Sequence, residues 1–121
     1  MIYFCKTPEW LKKIYACCTW QINTQNKIIY LSFDDGPHPV ATQFVLNQLK
    51  KYHAKATFFC IGKNVAAHED VYTRIIKEGH AVGNHTFNHL NGWKTSKHLY
   101  LENIDAAQKL INSALFRPPY G

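Results

Sequence analysis

Three clusters in this chain of 121 residues have the side-chain types and spacing that chemistry requires. The first is Asp34-Asp35, which follows residues 27–33, a run rich in β-branched and aromatic residues that reads as a strand. Carboxyl ends of strands are where α/β folds place their sites. Adjacent side chains leave a strand on opposite faces, so one carboxylate can hold a cation while the other moves a proton. The plainer alternative is a solvated turn completed by Gly36-Pro37. The second cluster is His85 and His89, whose spacing suits one side of a helical turn and a shared metal. Spacing alone is weak, because 7 histidines in one chain produce such pairs by chance. Position strengthens it: His85 follows a short strand signal at 81–84, at the sheet edge where Asp35 should emerge. Two histidines and a carboxylate form a recurrent open metal site with positions left for water and substrate. The third cluster is Arg117-Pro118-Pro119-Tyr120-Gly121. An arginine beside a carboxylate orients it. Two prolines stiffen the chain and remove two donors, which leaves the Tyr120 N–H as a fixed donor suited to an oxyanion. A Pro-rich turn is the plainer alternative there.

Strand and helix signals alternate along the chain, which predicts a parallel-sheet α/β domain. Residues 8–15 read as a short helix with Pro8 in its first turn, and residues 19–23 alternate like a strand. A helix is expected over 41–52 with Ala41, Val45, Leu49 and Tyr52 inward. The apolar run 56–61 suits a strand covered on both faces, and Cys60 within it suits core packing. Gly62 should break that strand, with a helix over about 69–78 stopped by Gly79. Residues 85–95 read as a loop or irregular turn. Ser96 can cap a helix reaching 112, with Leu101, Ile104, Ala107 and Ile111 inward. Residues 115–117 would begin another strand. The aromatic residues before residue 27, Trp10 and Trp20 among them, are expected to pack across an end of the sheet.

Composition narrows the function classes. The chain is 46% hydrophobic and 18% charged, which excludes a disordered chain or a coiled coil, and no apolar run reaches membrane-spanning length. The formal charge is +6, yet only Arg74 and Arg117 are arginines and the lysines are dispersed, which argues against nucleic acid as partner. The 4 cysteines include no C-x-x-C pair, so a cysteine zinc knuckle is not expected and the thiols read as reduced. Lys6, Glu9, Lys12 and Lys13 interrupt any signal-peptide core, which taken literally places the chain in the cytoplasm; the compartment stays open. A monomer is expected.

Taken in order, the clusters resemble the motifs of the polysaccharide deacetylase family, the NodB-homology domain of carbohydrate esterase family 4. Ser32-Phe33-Asp34-Asp35-Gly36 is similar to its T/S-F-D-D-G motif, His85-Thr86-Phe87-Asn88-His89 to H-S/T-x-x-H, and Arg117-Pro118-Pro119-Tyr120-Gly121 to R-x-P-Y/F-G. The resemblance covers residues 27–121, with 1–26 as an N-terminal helix and strand extension. It implies the N-terminal part of a distorted (β/α) barrel, truncated after the third motif. It also implies a divalent metal, zinc first and Co2+, Ni2+ or Fe2+ as alternatives, on Asp35, His85 and His89. Asp34 would be the general base, Arg117 would hold Asp34 in place, and Thr86 would hydrogen-bond within the metal loop. The Tyr120 N–H would stabilise the oxyanion, and Trp93, Pro119 and Tyr120 would line the substrate groove.

The activity implied is removal of N-acetyl groups, with O-acetyl as an alternative, from amino-sugar polysaccharides or oligosaccharides. The family's general acid is a histidine downstream of the third motif, so these residues alone are expected to have little activity and to lose amide hydrolysis more than ester hydrolysis. The rival reading is a non-catalytic, metal-stabilised carbohydrate-binding module.

Overall fold

The structure is a computed structural model and describes residues 7–120. Three parallel strands form a sheet in the order β1-β2-β3: β1 (Leu31–Gly36), β2 (Ala56–Cys60) and β3 (Ala81–Asn84). Helix α1 (Glu9–Ile14) precedes the sheet, α2 (Ala41–Lys51) links β1 to β2, and α3 (Gly62–Ala67) and α4 (Glu69–Lys77) link β2 to β3. Helix α5 (Lys97–Gln108) follows, and residues 115–117 extend the sheet by one parallel bridge, Asn84 to Phe116. This is the β/α alternation of a partial (β/α) barrel. Among the described residues, no helix is long and apolar enough to cross a membrane.

The central strand behaves as its apolar run predicts. Ala56, Phe58, Phe59 and Cys60 are buried, and Phe58 stacks on Phe33 at a centroid distance of 5.2 Å. Leu46, Leu49, Val65, Tyr72, Ile75, Ala107 and Ile111 close the core around it. Each large apolar side chain so buried contributes about 1.5–3 kcal/mol. Burial pushes the Cys60 thiol up to about 12, as fits a packing residue. Cys17 and Cys18 are also free thiols, and Cys5 lies outside the described residues.

Several expectations need correction. The first strand begins at Leu31 rather than Lys27, because its register sets Leu31 opposite Ala56, the first residue of β2. Residues 27–30 have β propensity but no ladder partner among the described residues, and Ile29 is 84% exposed. Residues 19–23 are irregular, not a strand. Helix α2 keeps only part of the expected stripe: Leu49 is buried and Val45 packs against the core. Thr42, Leu46 and Leu49 are buried, whereas Ala41 and Tyr52 are exposed, because Thr42 Oγ1 accepts the His38 N–H at 2.8 Å and so faces the turn. Helix α5 starts at the Ser96 cap as expected but ends at Gln108, and it buries Asn103 while leaving Leu101 exposed. Trp10 and Trp20 are 59% and 40% exposed, so they do not pack across an end of the sheet as expected.

Gly62 does not merely end a strand; it opens α3. A Cβ there would lie 2.6 Å from Phe87 Cδ2 and 3.1 Å from Ala107 Cα. Only glycine lets the start of α3 approach α5 and the loop carrying Phe87 this closely. Gly79 stops α4 as predicted, with φ 76°.

Candidate metal centre

The three clusters meet where β1 and β3 end. Asp35 Oδ1 lies 3.0 Å from His89 Nε2 and 3.4 Å from His85 Nε2. All three ligand atoms lie within 4.8 Å of one another. Donor atoms 2.0–2.2 Å from a tetrahedral zinc stand about 3.3–3.5 Å apart, so the spacing suits such an ion. Tautomer chemistry agrees. The His85 Nδ1–H donates to the Arg117 carbonyl at 2.7 Å, which leaves the Nε2 lone pair available to hold a cation. The donor set of two imidazoles and one carboxylate therefore fits a divalent metal.

Local backbone explains why adjacent acids diverge. Asp35 has φ 65°, and the β1–β2 register shifts between Phe33 and Gly36. The strand thus breaks its alternation at Asp35. The Asn64 side-chain amide donates to the Asp35 carbonyl at 2.8 Å, and the Ile61 N–H donates to the Gly36 carbonyl at 2.8 Å, which fix the break. Asp34 turns instead to Arg117, whose Nη1 donates to Asp34 Oδ1 at 2.7 Å and to Ser32 Oγ at 3.1 Å. The guanidinium also lies over the Phe59 ring at 4.0 Å. Ser32 and Asp34 are two apart on one strand and share a face, so one arginine reaches both.

His85 and His89 sit in the irregular stretch expected over 85–95, not on the helical turn that their spacing alone would suit. They belong to an irregular loop in which Thr86 and His89 have φ 61° and 56°. Left-handed backbone at a non-glycine residue costs on the order of 1–3 kcal/mol and persists where surrounding bonds impose it. The loop is pinned accordingly: His85 N–H donates to the Cys60 carbonyl at 2.9 Å, and the Thr86 and Phe87 carbonyls accept from Gly62 and Lys63 N–H at 2.9 and 3.1 Å. The Thr86 hydroxyl, expected to hydrogen-bond in the loop, is buried with no partner among the described residues; its backbone makes the bonds instead. His38 stays out of the site and accepts the Val40 and Ala41 N–H groups at the start of α2, each at 3.2 Å.

A depression of about 430 Å³ opens over the centre, lined by Asp34, Asp35, His85, His89, Arg117, Pro118 and Tyr120. The Tyr120 ring lies 4.9 Å from that of His89, and Tyr120 has φ 66°. Pro119 is fully buried and Pro118 takes the rim, so the groove role expected of Pro119 is not supported by its position. Trp93 is 87% exposed and is not among the lining residues. The sequence reading did not single out Asn64, Asn84, Asn103 or Phe59. Only Asn84, directly before His85, had a local signal; the others act across the fold.

A parallel α/β sheet that gathers an Asp-His-His set and an arginine-held carboxylate at its strand ends is the arrangement that the resemblance to the NodB-homology domain implies. The chain belongs to the polysaccharide deacetylase family, whose sequence model matches residues 21–121. It is 41% identical over 108 residues to a peptidoglycan-N-acetylglucosamine deacetylase of Bacillus cereus, covering 85% of this chain and 51% of that protein. A chitooligosaccharide deacetylase of Azorhizobium caulinodans is 39% identical over 106 residues, covering 81% of this chain and 50% of that one. The structure of the peptidoglycan deacetylase PdaC from Bacillus subtilis superposes with a TM-score of 0.72 at 38% identity, over 83% of this chain and 52% of that chain. The chain thus spans about half the length of these relatives.

Proposed function

We propose that this chain carries the metal-binding and base-bearing half of a deacetylase that removes acetyl groups from amino-sugar polymers or oligomers, with N-acetyl as the primary target and O-acetyl as the alternative. The observation that carries the reading is the convergence of Asp35 Oδ1 on both imidazole Nε2 atoms, at 3.0 and 3.4 Å. Asp35, His85 and His89 would hold a divalent metal, zinc before Co2+, Ni2+ or Fe2+. When bound, the metal supplies Lewis acidity, polarising the acetyl carbonyl and bringing the pKa of a coordinated water to about 7. Asp34 takes the proton from the attacking water as general base, and the Arg117 guanidinium, 2.7 Å away, keeps the carboxylate aimed. The Tyr120 N–H donates to the oxygen that gains charge as the tetrahedral centre forms. Relatives named as peptidoglycan and chitooligosaccharide deacetylases support acetylated glycans as the substrate class.

An amine leaving group needs a proton as it departs. Among the described residues lining the depression, the only imidazoles are the two assigned to the metal. These residues therefore supply the base but no separate histidine acid.

Metal analysis tests the reading. Purified wild-type protein should hold zinc near one equivalent, and Asp35→Ala and His89→Ala should each lose it. Unchanged zinc content in both variants would refute the ligand assignment.

A further inference from the structure

The loop from His85 to His89 has to keep two left-handed residues, Thr86 and His89, in place, and its peptide N–H groups, buried at Thr86 and part-buried at Phe87 and Asn88, find partners. Two asparagine side chains provide them. Asn84 Oδ1 accepts the Thr86 N–H at 2.8 Å. Asn103 Oδ1, from the middle of α5, accepts the N–H groups of both Phe87 and Asn88, each at 2.9 Å. The Asn103 backbone carbonyl also accepts the Phe87 N–H at 3.1 Å. One carboxamide oxygen thus takes two successive N–H groups from the segment that joins the imidazoles.

Asn103 is only 8% exposed and shares its helix face with Ala107, which is fully buried. A polar side chain at such a position is unfavourable unless its bonds are made. Asn84 ties the other end of the loop to the same helix. Its Nδ2 donates to the Ile104 carbonyl at 3.0 Å and to Gln108 Oε1 at 3.2 Å. Helix α5 therefore grips both ends of the turn that sets the imidazole geometry.

We infer that Asn103 is a positioning residue for the metal centre, its side-chain oxygen setting the separation and tilt of His85 and His89 before the ion arrives. The inference rests on the metal-centre reading above. It extends that reading to a residue on a remote helix that touches neither ligand ring nor substrate. The conformation it imposes is the one in which both Nε2 atoms face Asp35. Without it, the Asn88 N–H would lose its acceptor and the loop would relax toward ordinary backbone angles, so binding would have to reorder the ligands.

The test is zinc affinity by competition with a chromogenic chelator, using the 121-residue protein. Losing a group that orients a metal ligand lowers affinity by about 10–100-fold, and that loss is expected for Asn103→Ala and Asn103→Leu. Asn103→Asp keeps the acceptor oxygens and should bind zinc no more than about threefold more weakly than wild type. Asp105→Gly, at an exposed position of α5, loosens the helix without a side-chain change at the loop; it should lower the thermal midpoint of the metal-free protein and leave zinc affinity unchanged. Should the Leu variant fail to fold, the Ala and Asp variants carry the comparison. Wild-type affinity in Asn103→Ala would overturn the inference, as would an Asp variant as weak as the Ala variant. Asp35→Ala separates the two levels: if it keeps wild-type zinc affinity, the metal centre falls and the inference with it, whereas loss in Asp35→Ala alone leaves the centre standing and removes only the role of Asn103.

Discussion

Arg117 contributes to the centre twice, by two parts of the residue that can be separated. Its side chain aims Asp34, while its backbone carbonyl accepts the His85 Nδ1–H at 2.7 Å. Arg117→Met removes the first and keeps the second. The side chains of Arg117 and Asp34 are each 40% exposed, so solvent screens the pair and it contributes less than about 1 kcal/mol. The guanidinium over Phe59 adds about 0.5–1 kcal/mol, part of which a methionine stem retains. The expected loss is therefore about 1 kcal/mol in urea unfolding of the metal-free protein. It should shrink between about 10 mM and 1 M salt, as the Debye length falls from about 30 to about 3 Å. Zinc affinity should stay within about threefold of wild type, because the bond that orients the ligand imidazole is untouched. A tenfold or greater loss of zinc affinity in Arg117→Met would refute this division between side chain and backbone.

Two further substitutions address buried polar groups. Thr86→Val replaces a hydroxyl that is fully buried and has no partner among the described residues, so stability should be unchanged or rise by up to about 1 kcal/mol; a loss above that in chemical unfolding would show that the hydroxyl is bonded in solution. The His80 imidazole, with its side chain 2% exposed, is pushed below its usual pKa by burial and then by Lys55, with the Glu78 carboxylate pulling the other way. The unfolded chain then takes up this proton more readily, so the His80 contribution is complete above about pH 6.5 and is lost as pH falls below it. His80→Asn should make the stability of the metal-free protein fall less between about pH 7.5 and 5.5 than it does in wild type, and an unchanged fall would count against the assignment.

The strongest local signals survived folding. The apolar run around Phe58 could only be a covered strand, and the strand-then-acid pattern ending at Asp34-Asp35 put two carboxylates at a sheet edge. Ser96 announced a helix start, and Gly79 a helix stop. The identities of the converging residues were legible through the three motifs taken in order and the family they resemble; each cluster alone also read as a turn or as chance spacing.

What the amino-acid order could not fix was how those residues are held. Periodicity ranks positions by hydrophobicity, so it put Ala41 and Tyr52 on the inner stripe of α2 and Leu101 rather than Asn103 inside. Asn103 is inward because its amide finds two N–H groups on a loop far away in the chain, and no local window contains that partner. The four-residue histidine spacing suggested a helical turn, yet the loop reaches its geometry through left-handed residues pinned by β2, α3 and α5. Local sequence determines propensity and the inventory of reactive groups. Distances, tautomer and backbone strain at the centre depend on hydrogen bonds between remote segments, and those exist only once the chain has folded.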